Sequence, residues 1–180
     1  ESHSLHVADL ALQLFDQTKR EHHLGDQART WLEYAAILHD VGYHINPRQH
    51  HKHAYYLIKH SDLGGLTAED IDVVANIARY HRRALPTFKH EEFNGLPPRL
   101  QRTVKILASL LRIADGLDRT HFSLVQRVQL KLGKLITIDV HLTGDAEMEL
   151  WAAKNRADLF EQVFRRRVQV TGVPMEPKKS

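Results

Sequence analysis

The stretch Ala35-Ala36-Ile37-Leu38-His39-Asp40-Val41-Gly42 decides how this sequence reads. An apolar pattern carrying Trp31, Leu32, Ala35, Ala36 and Leu38 at helical spacing ends on a histidine and an aspartate side by side. Asp26, just after Gly25, is a fair N-cap for this helix, and Gly42 and Pro47 close it. Adjacent residues on a helix point about 100° apart, so both side chains of the pair reach one cation from the same turn. Upstream, Val7, Leu10, Ala11, Leu14 and Phe15 repeat with the same period, which places a first helix within the first few residues.

Downstream, residues 50–61 read as a third helix, and Thr67-Ala68-Glu69-Asp70 reads as a capping box opening a fourth through Ile71, Val74, Ile77, Ala78 and His81. Residues 84–98, punctuated by Pro86, Asn94-Gly95 and Pro97-Pro98, read as a long loop. From Arg99 a long helix runs through Val104, Leu107, Leu111 and Ala114 to Leu117. The period then changes to two: Val128 to Leu132 and Leu135 to Val140 flank Gly133-Lys134 as a hairpin. A last helix is expected over 147–164 and a third strand over 168–170. The expected fold is mainly α, with a helical domain over residues 1–122, a small ββαβ appendage over 123–173 and a polar tail over 174–180.

Composition bounds the function. At roughly 100–200 residues per domain, 180 residues make one domain or one plus a small appendage. No apolar run approaches the ~18 residues needed to span a bilayer, since the best candidate, residues 106–114, is short and contains Arg112. With no Cys, a disulfide framework and a thiolate metal site are excluded, and a cytoplasmic location is the default. A formal charge of +3 favours anionic ligands but falls far short of a nucleic-acid-binding arm. Arg165-Arg166-Arg167 reads as a partner for a helix C-terminus rather than a groove reader. The outlier is histidine: 14 in all, with only His121 and His141 beyond position 91. Imidazoles ligate metals, move protons or sense pH.

Several of them lie on apolar faces. His3 shares a face with Val7, His53 precedes the Tyr55 to Ile58 segment, and His81 follows Ile77 and Ala78. Asp115 follows Ala108 and Leu111 by two turns and one, so it projects from an apolar face, where an ionised carboxylate needs a cation or donors. Five helices thus each offer an inward His or Asp, the way helical bundles build metal sites. Imidazole and carboxylate ligands without sulfur suit Mn, Fe, Co, Ni, Zn or, less well, Mg. A lone buried His is more often a hydrogen-bonded core residue, and Asp115 and Asp118 could equally pair with Arg112 and Arg119 along a wet helix face. His22, His23, His60 and His90 lie in polar or turn-like contexts and are expected at the surface, while His6, His50 and His51 stay ambiguous.

Three segments in order, His3-Ser4-Leu5-His6-Val7-Ala8, Ile37-Leu38-His39-Asp40-Val41-Gly42 and Arg112-Ile113-Ala114-Asp115-Gly116-Leu117-Asp118-Arg119, resemble the HD superfamily of metal-dependent phosphohydrolases. Together with His53-Ala54-Tyr55-Tyr56-Leu57-Ile58, Arg79-Tyr80-His81-Arg82-Arg83 and the helix from Glu149-Leu150-Trp151, they are similar to the C-terminal part of the exopolyphosphatase and guanosine-pentaphosphate phosphatase (Ppx/GppA) family. The resemblance implies an HD-type helical bundle whose metal ligands are His3, His39, Asp40 and Asp115, with Asp40 bridging to a second ion on His53 and His81. It also implies upstream actin-like domains, an expectation that the start of the sequence at Glu1, within a helix, supports. Phosphate contacts are expected from Lys52, Arg82, Arg83 and Arg119, with Asp118 ordering a ligand or holding Arg119. The expected activity is hydrolysis of polyphosphate or nucleotide phosphates on one or two divalent ions. The alternative is an accessory module that binds polyphosphate, forms a homodimer or regulates an upstream catalytic domain. No membrane partner is expected, and nucleic acid is disfavoured.

Overall fold

The structure, a computed structural model, describes residues 2–43 and 48–175. The closing role read for Pro47 and most of the polar tail lie outside the described residues. The elements in chain order are α1 (Ser2–His22), α2 (Asp26–Leu38), α3 (His50–His60), α4 (Ala68–Arg79), α5 (Glu91–Asn94) and α6 (Pro98–Gly116), then β1 (Val125–Leu132), β2 (Ile136–Leu142), α7 (Glu147–Asn155), α8 (Asp158–Phe164) and β3 (Val168–Pro174). The fold is mainly helical with a small sheet at the C-terminal end.

Helix α6 is the axis of the molecule. Its buried residues run unbroken from Ile106 to Gly116, so this part is enclosed on every side and packs on α1, α2, α4, α7 and α8. Val7, Leu10, Ala11, Leu14 and Phe15 of α1 are buried as their spacing requires. The capping box of α4 forms, with the Thr67 hydroxyl accepting from the Asp70 amide and the Asp70 carboxylate accepting from the Thr67 amide. The same carboxylate accepts from Trp31 Nε1 at 2.7 Å and from Gln27, which ties the start of α4 to α2.

Two local readings are corrected. The segment expected as a loop over 84–98 contains the single turn α5, and Pro98 already sits at the start of α6, where a missing amide is harmless. The helix expected over 147–164 is two helices, broken at Arg156 and Ala157 without a glycine or proline to signal it. The appendage is therefore ββααβ: β1 and β2 form the antiparallel hairpin, and β3 lies parallel to β2 after the α7–α8 crossover. The outer edge of β1 is not left bare. Gln13 and Gln17 of α1 accept from the amides of Val128 and Leu130, and Gln17 donates to the Val128 carbonyl, so a helix covers the strand edge with side-chain amides.

Two glycines fix close approaches. A Cβ at Gly42 would lie 2.4 Å from the His50 carbonyl oxygen, so only glycine lets the chain after α2 pass against the start of α3. A Cβ at Gly116 would lie 2.9 Å from the Ala153 amide, so the end of α6 rests directly on the backbone of α7.

Candidate metal centre and phosphate cleft

The ends of α1, α2, α4 and α6 converge on one point. His3 Nδ1 contacts Asp118 Oδ2 at 2.7 Å, His39 Nδ1 contacts the Ala36 carbonyl at 2.6 Å, and His81 Nδ1 contacts the Ala78 carbonyl. With each Nδ1 donating, each Nε2 is the ring nitrogen left to offer a lone pair to a cation or to take a second proton. His3 Nε2 and His39 Nε2 each lie 3.4 Å from Asp115 Oδ1 and 3.5 Å from Asp40 Oδ2. Among the described residues, both nitrogens are buried without a hydrogen-bond partner. Two imidazole nitrogens facing two carboxylates call for positive charge between them, as protons on the rings or as a cation in their place.

The other oxygen of Asp40 faces a second cluster. Its Oδ1 lies 3.4 Å from His50 Nε2 and 3.9 Å from His81 Nε2, and those two nitrogens are 3.0 Å apart. The groups His3–His39–Asp115 and His39–Asp40–His81 each bring three ligand atoms within 4.8 Å of one another. The donor set of imidazoles and carboxylates fits a divalent transition ion.

The charges are strongly coupled. Burial works against a proton on His3, but Asp115 and Asp118 outweigh it and raise its pKa to about 9. Burial likewise opposes charge on His39, and Asp115 raises it above its ordinary value. Asp115 stays well below the usual carboxylate range because His3, His39 and Arg156 overcome its burial. His81 is driven well below its ordinary value by burial and by His39. The carboxylates of this floor draw positive charge inward. Arg156 supplies one such charge, its guanidinium meeting Asp115 Oδ2 while Oδ1 stays turned to the imidazoles.

Above the floor opens a cleft of about 280 Å³, walled by Arg82, Arg83, Arg119, Arg156 and His121. His121 stacks on His3 with ring centroids 3.7 Å apart. The turn after α6 that carries Arg119 and His121 is held from both sides: Asp118 accepts from the Ser123 amide, and buried Glu149 of α7 accepts from the Thr120 amide and hydroxyl.

Residues 1–155 match the family described as Ppx/GppA phosphatase, domain III. The chain belongs to this family. In this Ppx/GppA domain, His3, His39, Asp40, His81 and Asp115 stand together, as their sequence contexts anticipate, and Arg82 and Arg119 face the cleft. Asp118 is fully buried and orients His3 rather than Arg119.

Two other residues stand apart. On α3 it is His50, not His53, that meets Asp40 and His81. The buried stripe Ile58, Ala54, His50 runs in steps of four, and His53 falls off it, only half-buried. Lys52 points away to solvent on the same helix. The i, i+3 pairing of Arg112 with Asp115 does not form. Buried Arg112 donates to the Tyr80 and Arg83 carbonyls and faces Asp158, while Asp115 turns to the histidines and Arg156. His22, expected at the surface, is buried, because its Nε2 reaches the Phe15 carbonyl at 3.1 Å and its Nδ1 accepts from the Leu24 amide. His121 and Arg156 had no local signal, since each reaches the site through a turn whose direction only packing sets.

Proposed function

We propose that this chain is a metal-dependent phosphohydrolase domain of HD type, the C-terminal part of an exopolyphosphatase or guanosine-pentaphosphate phosphatase acting on polyphosphate or nucleotide phosphates. The observation that carries this reading is the pair of buried, partnerless Nε2 atoms of His3 and His39, facing Asp40 and Asp115 beneath an arginine-walled opening. His3, His39, Asp115 and Asp40 Oδ2 would hold one divalent ion, with Asp40 Oδ1, His50 and His81 suited to a second. Such an ion supplies Lewis acidity toward phosphoryl oxygens and lowers the pKa of a coordinated water.

The remaining work belongs to the chain. Asp118 fixes the His3 ring and keeps its proton on Nδ1. Arg82 and Arg119 bind and orient phosphoryl oxygens and stabilise the charge that spreads over them in the transition state. Arg156 holds Asp115 to a single free oxygen. The test is metal analysis with a phosphoesterase screen: the wild type is expected to retain Mn, Co or a similar ion and turn over substrate with it, and His39→Ala to lose both. Equal metal content in the two proteins would overturn the reading.

One observation favours a second reading. The Arg156–Asp115 pair already neutralises a ligand carboxylate, as in a site kept for structure. On that reading the domain binds polyphosphate, docks a second copy or regulates an upstream actin-like catalytic domain. Metal-replete protein that binds phosphate polymers without turning them over would favour it.

A further inference from the structure

The metal floor and its cleft lie at one end of α1 and α6, and a separate pocket lies at the other. About 310 Å³ in volume, it is enclosed by the end of α1, the first turns of α6 and the end of α8. His3 and His22 stand at opposite ends of the 21-residue α1, about 28 Å apart at 1.5 Å per residue. The pocket has no lining residue in common with the cleft.

Its walls differ in kind. One is apolar, made of buried Ile106 of α6 and buried Phe164 of α8, with half-buried Val163 between turns of α8. A smaller pocket of about 250 Å³ continues this surface past the stem of Lys105 and Val163 to Leu159 and Pro86. The opposite wall is positive. Its carboxylate, Glu21, is already paired with Arg166 at 2.7 Å. The buried His22 ring is neutral: Nε2 donates to the Phe15 carbonyl, Nδ1 accepts from the Leu24 amide, and burial lowers its pKa. Arg102 and Lys105, one turn apart on α6, supply the charge. Arg102 donates to the His22 carbonyl at 3.0 Å, and the Lys105 ammonium lies over the rings of Phe88 and Phe93, 5.4 and 5.7 Å from their centres. Among the described residues, neither meets a carboxylate.

A pocket divided in this way selects a ligand divided in the same way, with one anionic end on an apolar body. A multiply charged anion would hold its hydration water against Ile106, Val163 and Phe164, and a neutral apolar molecule would leave both cations unpaired. We propose that this pocket binds a small monocarboxylate with an aromatic or branched aliphatic body, its carboxylate paired with Arg102 and drawn by Lys105, its body against Ile106, Val163 and Phe164. The bound molecule bridges α6 and α8. The inference is independent of the phosphohydrolase reading, since none of these residues faces the metal floor.

A chemical-shift titration of the isotope-labelled protein with 4-phenylbutyrate tests it. The probe is expected to saturate, shifting resonances of α6 and α8 around the pocket. 4-Phenylbutan-1-ol, which lacks the charge, and butyrate, which lacks the body, are each expected to bind at least about tenfold more weakly. Arg102→Gln and, separately, Lys105→Gln are expected to weaken 4-phenylbutyrate and leave the alcohol unchanged, whereas Val163→Glu weakens both, with circular dichroism reporting the fold. Absence of saturable binding, equal affinity for the acid and the alcohol, or an affinity for the acid that survives both charge substitutions would overturn the proposal. Displacement of 4-phenylbutyrate from these resonances by an equal concentration of tripolyphosphate would overturn it too, since the pocket would then be a sink for any anion.

Discussion

The floor and the rim of the cleft carry opposite charge, and the fold treats them differently. On the floor, Asp40, Asp115 and Asp118 are packed among imidazoles from α1, α4 and the end of α2, each ring fixed by a contact on its Nδ1 side. On the rim, Arg82, Arg83 and Arg119 are half-buried or exposed, without carboxylate partners among the described residues. The floor is pre-organised before any ligand arrives, and the rim is left uncompensated for one. Arg156 joins them, pairing with a floor carboxylate while lining the cleft. Buried charges need their partners built in, whereas exposed ones can wait for a ligand at modest cost.

Substitutions should separate the two regions. The largest effect is expected from His39→Ala, which removes a proposed metal ligand from the floor: elemental analysis should find less divalent ion than in the wild type and phosphohydrolase assays no turnover, with the rim still binding phosphate. Arg119→Gln should do the opposite, leaving metal content intact and lowering kcat/KM by about 10–100-fold through loss of a charged hydrogen bond. Asp118→Asn is a subtler break in the floor. Metal affinity should fall roughly tenfold or somewhat more as the His3 ring loses its orienting carboxylate, and a competition titration would measure it.

Gly116→Ala probes the join between the regions. Forcing a Cβ against the α7 backbone should destabilise the protein by about 1–3 kcal/mol in urea unfolding and shift Arg156 off Asp115. The smallest effect is on pH dependence. Burial, reinforced by His50 and Arg83, lowers His51 to about 4. Between the unfolded value of 6.5 and that folded value the unfolded chain binds the extra proton, so the metal-free protein should lose stability as pH falls through this window and be unaffected by His51 above it. In His51→Gln the slope of unfolding free energy against pH should shrink by up to one proton, while the slope contributed by His81 remains.

The bundle and most of the floor were legible in the sequence because both obey the helical period. The apolar stripes of α1, α2 and α6 carry His3, His39 and Asp115 inward along with the leucines beside them. That His50 rather than His53 reaches Asp40 was not legible, because four histidines lie within α3 and only its packing against Gly42 selects the stripe that faces inward. The break at Arg156 left no mark at all. No glycine or proline stands there, and the helical pattern runs on into Leu159 and Phe160.

The sequence by itself determined which helices form, and that imidazoles and carboxylates ride on their buried faces, since periodicity is a local property of the chain. Tertiary structure alone decided that Asp115 shares its carboxylate between two histidines and Arg156, that His121 stacks on His3, and that the arginines of three separate turns line one cleft. Those juxtapositions depend on helix crossings and turn directions, which are set by packing among residues distant in the chain.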